Sequence, residues 1–424
     1  MKRLSYTTLY CLSVCLLSLF SIPSQAENAL QINTSQDGTE QHIGFRFTEK
    51  GRSVKIPIKT YHNLILIPVR INNSMEMNFI LDTGVKTTIF TEPLLANLLS
   101  LSSTRKINII GLGEGNPIQA SVASNLNISL PQGIEGKGMS IVILPENTIS
   151  FSSMFGQPVY GIIGYEIFKH FVIEIDYYNS YIRLYKPNKY KVKKGTIIPI
   201  QIKHTKPYIE TTVIAENGIE KTNLLIDTGA SQAVSLWHGD IDLPLKTIDA
   251  FLGQGLSGNI FGRLGRIKGF QIGEFHFKNV VAAYPEASSL NMRNEVVDWE
   301  GNLGAAILKR FSVTFDYPNS RIVLRKNADY KKPFTYNISG IELLVKGPDY
   351  KEYEVVHIRT GSPAEKAGLE VGDLLLAVNN FTTYDSDIGE IYSRLNRKAG
   401  RKISLKFKRN GLILKKKMQL KEQL

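Results

Sequence analysis

The sequence predicts a mainly β chain of two related lobes, followed by a small third unit. Three observations carry this. The tripeptide Asp-Thr-Gly occurs twice, at Asp82-Thr83-Gly84 and Asp227-Thr228-Gly229, each time behind an apolar run, Phe79-Ile80-Leu81 and Leu224-Leu225-Ile226. Other landmarks recur around both copies in the same order. Ile56-Pro57-Ile58 is answered by Ile198-Pro199-Ile200, and Leu112-Gly113-Glu114-Gly115 by Leu252-Gly253-Gln254-Gly255. The stretch from Gly164 to Phe171, with Asp176 to Ser180 behind it, is answered by Gly304 to Phe311 with Asp316 to Ser320. Repetition at so long an offset means paired lobes and not a solenoid. Beyond Tyr330-Lys331-Lys332-Pro333 the pattern changes to Gly361-Ser362-Pro363-Ala364, Ala367-Gly368-Leu369 and Gly372-Asp373.

In chain order, residues 1–26 read as a secretory signal peptide: Lys2 and Arg3, an apolar stretch, then Ser24-Gln25-Ala26 as a small-x-small cleavage site. The apolar run is short for a membrane span. Both cysteines, Cys11 and Cys15, fall inside it, so a chain cleaved after Ala26 needs no oxidative folding. Val14 stands where a lipoprotein site would have a small residue. The expectation is an exported protein, periplasmic, secreted or held at the envelope. Residues 27–49 form a polar segment in which only Ile43 to Phe47 alternates like an edge strand.

The first lobe is predicted over residues 50–190. It includes two apolar strands, from Leu64 and from Met77, around the turn Asn72-Asn73-Ser74. A Lys-rich connector leads to the second lobe, 191–328, which repeats the hairpin around Glu216-Asn217-Gly218. The third unit, 334–424, holds a helix with Ile388, Ile391 and Leu395 on one face, and a closing hairpin at Asn410-Gly411.

A strand that buries a carboxylate is unfavourable unless the charge finds a partner. Two carboxylates brought together cannot both ionise cheaply, so they share one proton over a wide pH range. Such a pair suits amide hydrolysis: the ionised member takes a proton from a water between them, and the protonated one donates to the scissile carbonyl. Asp82 and Asp227 are the candidates, and which of them holds the proton stays open. Gly84 and Gly229 let the backbone pass close beneath them. Val85 and Ala230 follow these glycines where a hydroxyl could have stabilised the charged form, so the pair is expected to titrate nearer mildly acidic values than strongly acidic ones.

The two turns, the Gly-rich segments and the later Ile162-Ile163-Gly164 and Leu303-Gly304 together resemble the pepsin/retropepsin superfamily of aspartic proteases, specifically the bacterial retropepsin-like type with both lobes in one chain. The resemblance spans roughly residues 50–328. It implies a bilobal fold acting as a monomer with an internal pseudo-dimer, and protein or peptide substrates. It also implies that Thr83 and Thr228 lock the turns together, and that Gly113, Gly115, Gly253 and Gly255 belong to flaps over an extended peptide. The sequence departs from the family at Lys86, where Ser, Thr or Asp is common, and at Asn302, which replaces an apolar residue. Lys86 either meets an acidic substrate group or points to solvent. Residues 334–424 resemble a bacterial PDZ domain, a small α/β unit. By that resemblance Ser339-Gly340-Ile341 is its carboxylate-binding loop, with a C-terminal peptide as ligand.

Other chemistries find little support. The formal charge of +13 is spread out, with small clusters at Lys189 to Lys194 and Lys415 to Lys417; it reads as a solvated basic surface with at most loose attraction to anionic envelope surfaces. No basic groove interleaved with aromatics is legible, so no nucleic-acid partner is expected. The seven histidines are scattered, and His170 stands where the repeat has Arg310, which suggests a surface position. Neither a metal nor another cofactor is expected. Gly253-x-Gly255-x-x-Gly258 matches a dinucleotide fingerprint in spacing, but no helix pattern follows. The same residues leave open a scaffold that has lost activity, and a latent enzyme that needs a partner.

Overall fold

The computed structural model describes residues 43–146, 148–237, 241–289 and 299–424. The predicted signal peptide and both cysteines lie outside the described residues. Each lobe is built around a parallel strand pair that explains why an apolar run ends on Asp-Thr-Gly. In the first, Met77–Leu81 lies parallel to Gly161–Ile163, with Leu81 opposite Ile163; in the second, Ile219–Asp227 lies parallel to Gly301–Gly304, with Ile226 opposite Leu303. These central strands are buried on both faces, so they read as continuous apolar runs and not as alternation. Gly164 and Gly304 pack against the turns: a Cβ on Gly164 would stand 2.0 Å from the Asp82 carbonyl oxygen, and one on Gly304 would stand 2.3 Å from that of Gln232.

The strands Leu64–Ile71 and Met77–Leu81 form the predicted hairpin, with Asn72 and Asn73 both at positive φ, a conformation that asparagine tolerates. Lys206–Ile214 and Ile219–Asp227 repeat it. The edge strand is Gly44–Phe47, paired with residues 134–137, so the first lobe's sheet starts upstream of residue 50. A six-stranded sheet joins the lobes in the order Thr196–Pro199, Arg321–Lys326, Phe311–Asp316, Val172–Asp176, Tyr181–Tyr185, Ser53–Pro57. Each lobe gives three strands, and the two meet at Ile173 opposite Phe315. The repeated Ile-Pro-Ile and Asp-Tyr landmarks are therefore the parts that fasten one lobe to the other.

The third unit is an antiparallel sheet in the order Ile341–Lys346, Glu352–Ile358, Leu374–Val378, Lys402–Arg409, Leu412–Gln419, with the helix Ile388–Leu395 against it. Asp387 caps that helix by accepting from the Glu390 amide at 2.8 Å, and Ile388, Ile391 and Leu395 are buried as their spacing predicts. The unit is fastened to the lobes. Arg310 is only 2% exposed, and its guanidinium donates to the carbonyls of Ala306, Asp329, Tyr330, Lys332 and Pro333 while lying over the Phe334 ring. His170, expected at the surface from its correspondence with Arg310, is half-buried with its Nδ1 on the Glu166 carbonyl, and Arg310 itself is buried because a planar donor fork suits a turn of converging carbonyls. The first lobe's helix Phe151–Phe155 also packs on the strand Ile341–Lys346.

Candidate active site

The two Asp-Thr-Gly turns meet at the junction of the lobes. Thr83 and Thr228 interlock: each backbone N–H donates to the other's Oγ1 at 3.0 Å. Each hydroxyl in turn donates across the junction, Thr83 to the Ile226 carbonyl at 2.6 Å and Thr228 to that of Leu81 at 2.8 Å. Four reciprocal hydrogen bonds in a fully buried interior hold the turns face to face, as the resemblance implies.

On this frame the carboxyls of Asp82 and Asp227 are wholly buried and electrostatically coupled to each other. Asp82 Oδ1 accepts from the Gly84 amide at 2.6 Å, and Asp227 Oδ1 from the Gly229 amide at 2.8 Å. The glycines are required by contact, since a Cβ on Gly229 would stand 2.3 Å from Asp82 Oδ2. Burial pushes the Asp82 carboxyl up to about 7, against the pull of the Gly84 amide and of a nearby lysine. It also holds Asp227 well above the ordinary carboxylate range, with repulsion from Asp82 adding to the effect. The upward direction agrees with the expectation drawn from Val85 and Ala230, though burial, not the missing hydroxyls, is the main cause.

The surroundings contain residues that sequence reasoning missed. Lys206, only 3% exposed, is electrostatically coupled to both aspartates, and burial lowers its ammonium to about 8. The repeat carried a signal for it. Lys206 stands opposite Lys203 in its hairpin just as Leu64 stands opposite Tyr61 in the other lobe, so a cation replaces an apolar residue at one of two equivalent places. Lys86, which the sequence singled out, is exposed. Tyr177 and Tyr317, from the repeated Asp-Tyr, are buried beneath the pair; their hydroxyls are pushed upward by burial, then by Asp227 and Asp82 respectively. Asn302 donates to Asp227 Oδ2 at 2.8 Å.

The Gly-rich segments close over one another. The Gly115 amide donates to the Ser257 carbonyl at 2.5 Å, the Ser257 amide to that of Leu112 at 3.0 Å, and the Gly111 amide to Ser257 Oγ at 3.0 Å. A Cβ on Gly255 would stand 2.1 Å from the Leu112 carbonyl oxygen, and one on Gly113, at φ +121, would stand 2.5 Å from the Gly258 nitrogen. Gly253, at φ 130, sits where the hairpin register shifts. The two segments differ in build. Thr247–Gly255 and Gly258–Ile272 form a continuous hairpin with one register shift, whereas the first lobe's segment is a loop between the strands Ser103–Ile109 and Ile118–Leu130. Leu112 of that loop is seated among Tyr208, Leu225, Trp237, Leu252 and Ile260, an apolar wall beside the aspartates.

The PDZ loop departs from its expected role. The amide of Ser339 donates to Asn396 Oδ1 at 2.9 Å, that of Gly340 to Asn337 Oδ1 at 3.1 Å, and that of Ile341 to Ser339 Oγ at 3.3 Å. None is left to cradle a carboxylate. The adjoining strand is also engaged, since Tyr392 Oη accepts from the Leu343 amide at 2.8 Å. Gly156 of the first lobe fills the space between Val345 and Ile388, and the rings of His62 and Tyr392 meet at 5.4 Å. On the other side His357 packs against Phe251 and Phe261 of the second lobe's Gly-rich hairpin. The sequence showed the loop's pattern but not the asparagines that satisfy it.

A family model for aspartyl proteases matches residues 67–167, and one for the PDZ domain matches residues 354–409. The chain thus carries an aspartyl protease domain and a C-terminal PDZ domain; the first match includes Asp82 and ends before Asp227. No curated protein matches the chain.

Proposed function

We propose that this chain, an aspartyl protease domain joined to a PDZ domain, is an exported aspartic endopeptidase that activates a water between Asp82 and Asp227. The observation that carries the reading is the meeting of two buried carboxyls on interlocked turns beneath paired Gly-rich flaps. An extended peptide would lie under the flaps, displacing Leu112 from the apolar wall, so apolar side chains beside the scissile bond are expected substrates. The ionised carboxylate takes the water's proton, the other donates to the carbonyl oxygen, and closure of the flaps excludes bulk water. Cleavage of a diverse peptide library, with pepstatin, Asp82→Asn and Asp227→Asn as controls, tests this; cleavage that survives both substitutions would overturn it. Export is tested by fractionation and by the N-terminal sequence of the mature protein.

A latent form is a second reading with its own support. The flaps are closed, and the PDZ domain buttresses one of them through His357 while its own groove is covered by the first lobe. Substrate entry then requires the His357 contact to loosen, and His357→Ala should raise the initial cleavage rate. An unchanged or lower rate would count against latency.

A further inference from the structure

The two halves of the catalytic pair are built on one repeat but receive different hydrogen bonds. Gly161-Ile162-Ile163-Gly164 and Gly301-Asn302-Leu303-Gly304 occupy the same place in their lobes, each beside its Asp-Thr-Gly strand. In the first lobe the second residue is Ile162, fully buried and apolar. In the second it is Asn302, equally buried, whose Nδ2 donates to Asp227 Oδ2 at 2.8 Å. The orientation of the amide is fixed from behind. Trp299 Nε1 lies 3.2 Å from Asn302 Oδ1, and an indole nitrogen can only donate, so the carbonyl must face the tryptophan and the NH₂ must face Asp227. The same indole N–H also reaches the Gly301 carbonyl at 2.6 Å, and the Trp299 ring stands edge-on to Trp237 at 5.1 Å.

Asp227 therefore accepts permanent N–H donors on both oxygens, from Gly229 and from Asn302. Asp82 accepts one, from Gly84 on Oδ1; among the described residues no N–H or non-carboxyl hydroxyl donates to its buried Oδ2. An N–H donor stabilises a carboxylate and cannot be accommodated by the O–H of an acid at the same lone pair. Burial raises both carboxyls, and repulsion from Asp82 adds to the rise at Asp227. Lys206 couples to both, Tyr177 faces Asp227, and Tyr317 faces Asp82. The second N–H donor acts the other way, stabilising a charge on Asp227 and not on Asp82.

We infer that Asn302 is a positioning residue that seats the negative charge on Asp227 and the shared proton on Asp82 Oδ2. On the reading of the chain as a protease, Asp227 is then the base that takes the water's proton, and Asp82 is the acid that protonates the scissile carbonyl oxygen. One proton leaves the water and another leaves Asp82, so the pair keeps its single proton and the protonated member becomes Asp227. Collapse of the gem-diol then sends the Asp227 proton to the leaving amine nitrogen while one gem-diol hydroxyl gives its proton to Asp82, which restores the charge to Asp227, the state that Asn302 favours.

The test is a titration of full-length protein carrying ¹³C-carboxyl aspartate, in an Asp82→Asn background where Asp227 is the sole carboxyl of the pair. Asn302→Ile, which copies Ile162, and the smaller Asn302→Ala should each raise the Asp227 midpoint by about one pH unit, the size of one lost donor. With Asp82 intact, the acid limb of kcat/KM should move up by a similar amount, with KM little changed. Both midpoints unmoved by either substitution would overturn the assignment. So would a shift confined to the Asp82 signal when both aspartates are present. The titration does not depend on turnover, so a wild-type protein that cleaves nothing would sink the protease reading while leaving the charge assignment to be decided by the midpoints.

Discussion

The aspartate pair and the PDZ loop are both buried, both sit at a strand end, and both were picked out by the sequence. They differ in what remains to be bonded. In the pair, a carboxyl oxygen, Asp82 Oδ2, lies buried with no hydrogen-bond donor among the described residues. In the loop, each of the three amides is already bound by Asn396, Asn337 or Ser339. A buried polar group left short of partners is costly, and a fold keeps one where a ligand or a reaction is to use it. Saturation within the chain marks the opposite case, a structural cluster. The aspartate pair thus keeps a group open to chemistry, whereas the loop's amides are all engaged within the chain.

The largest effect that follows is on turnover. Asp82→Asn or Asp227→Asn should each lower kcat by about 10²–10⁴-fold, the range for loss of a general acid or base. Stability should respond in the other direction. Burial lifts Asp82 to about 7 from an ordinary carboxylate value, so between about pH 4 and pH 7 the folded chain keeps a proton that the unfolded chain has lost. The contribution of this group to stability is therefore greatest at acid pH and is lost as pH rises toward 7. Thermal melts of wild type across that window should show the fall, and Asp82→Asn should flatten part of it. A wild-type stability that rises throughout the window, with the variant parallel to it, would contradict the burial argument.

The loop side of the comparison predicts smaller numbers of a different kind. Asn396→Ala strips the buried Ser339 amide of its acceptor and should cost about 1–3 kcal/mol, read as a shift in the denaturant midpoint. Cleavage of short peptides by the folded variant should stay near the wild-type rate, because the catalytic frame is complete without it. Peptides ending in an apolar residue should not bind this loop in wild type with micromolar affinity. Saturable binding of that strength, abolished by a bulky residue at Gly340, would show that the asparagines yield to a ligand and would break the comparison.

How much of this was legible depends on whether the determinant is local. The Asp-Thr-Gly turns, the flanking apolar strands, the flap glycines and the lobe-fastening repeats are short contiguous patterns whose backbone needs are visible one segment at a time. So is the helix face of Ile388, Ile391 and Leu395. The burial of Arg310, at the place equivalent to His170, was not legible because its partners, the carbonyls from Asp329 to Pro333, form a turn that no motif announces. The PDZ loop was misread for the same reason: Asn396 lies 57 residues away from Ser339 in the chain. Asn302 was visible as a departure from the repeat, but its meaning depends on Trp299 behind it and Asp227 in front.

The two lysines sharpen the point to its smallest effect. Sequence logic attends to Lys86, two residues past an Asp-Thr-Gly, and passes over Lys206, 21 residues ahead of the other aspartate. The structure reverses their weight, for Lys86 is exposed while Lys206 is buried in the field of both carboxyls. A buried cation favours the ionised form of each aspartate, so Lys206→Met should raise both midpoints of the pair by about one pH unit, where Asn302→Ile raises only that of Asp227. Loss of the cation also moves the acid limb of the activity profile upward, and wild type and variant should converge above pH 8, where Lys206 gives up its proton in the folded chain. Lys86→Ala should leave kcat/KM within about twofold and stability within about 0.5 kcal/mol, as exposed sites generally do. A Lys86→Ala variant whose pH profile shifts as far as that of Lys206→Met would mean that the exposed lysine swings into the cleft when substrate binds.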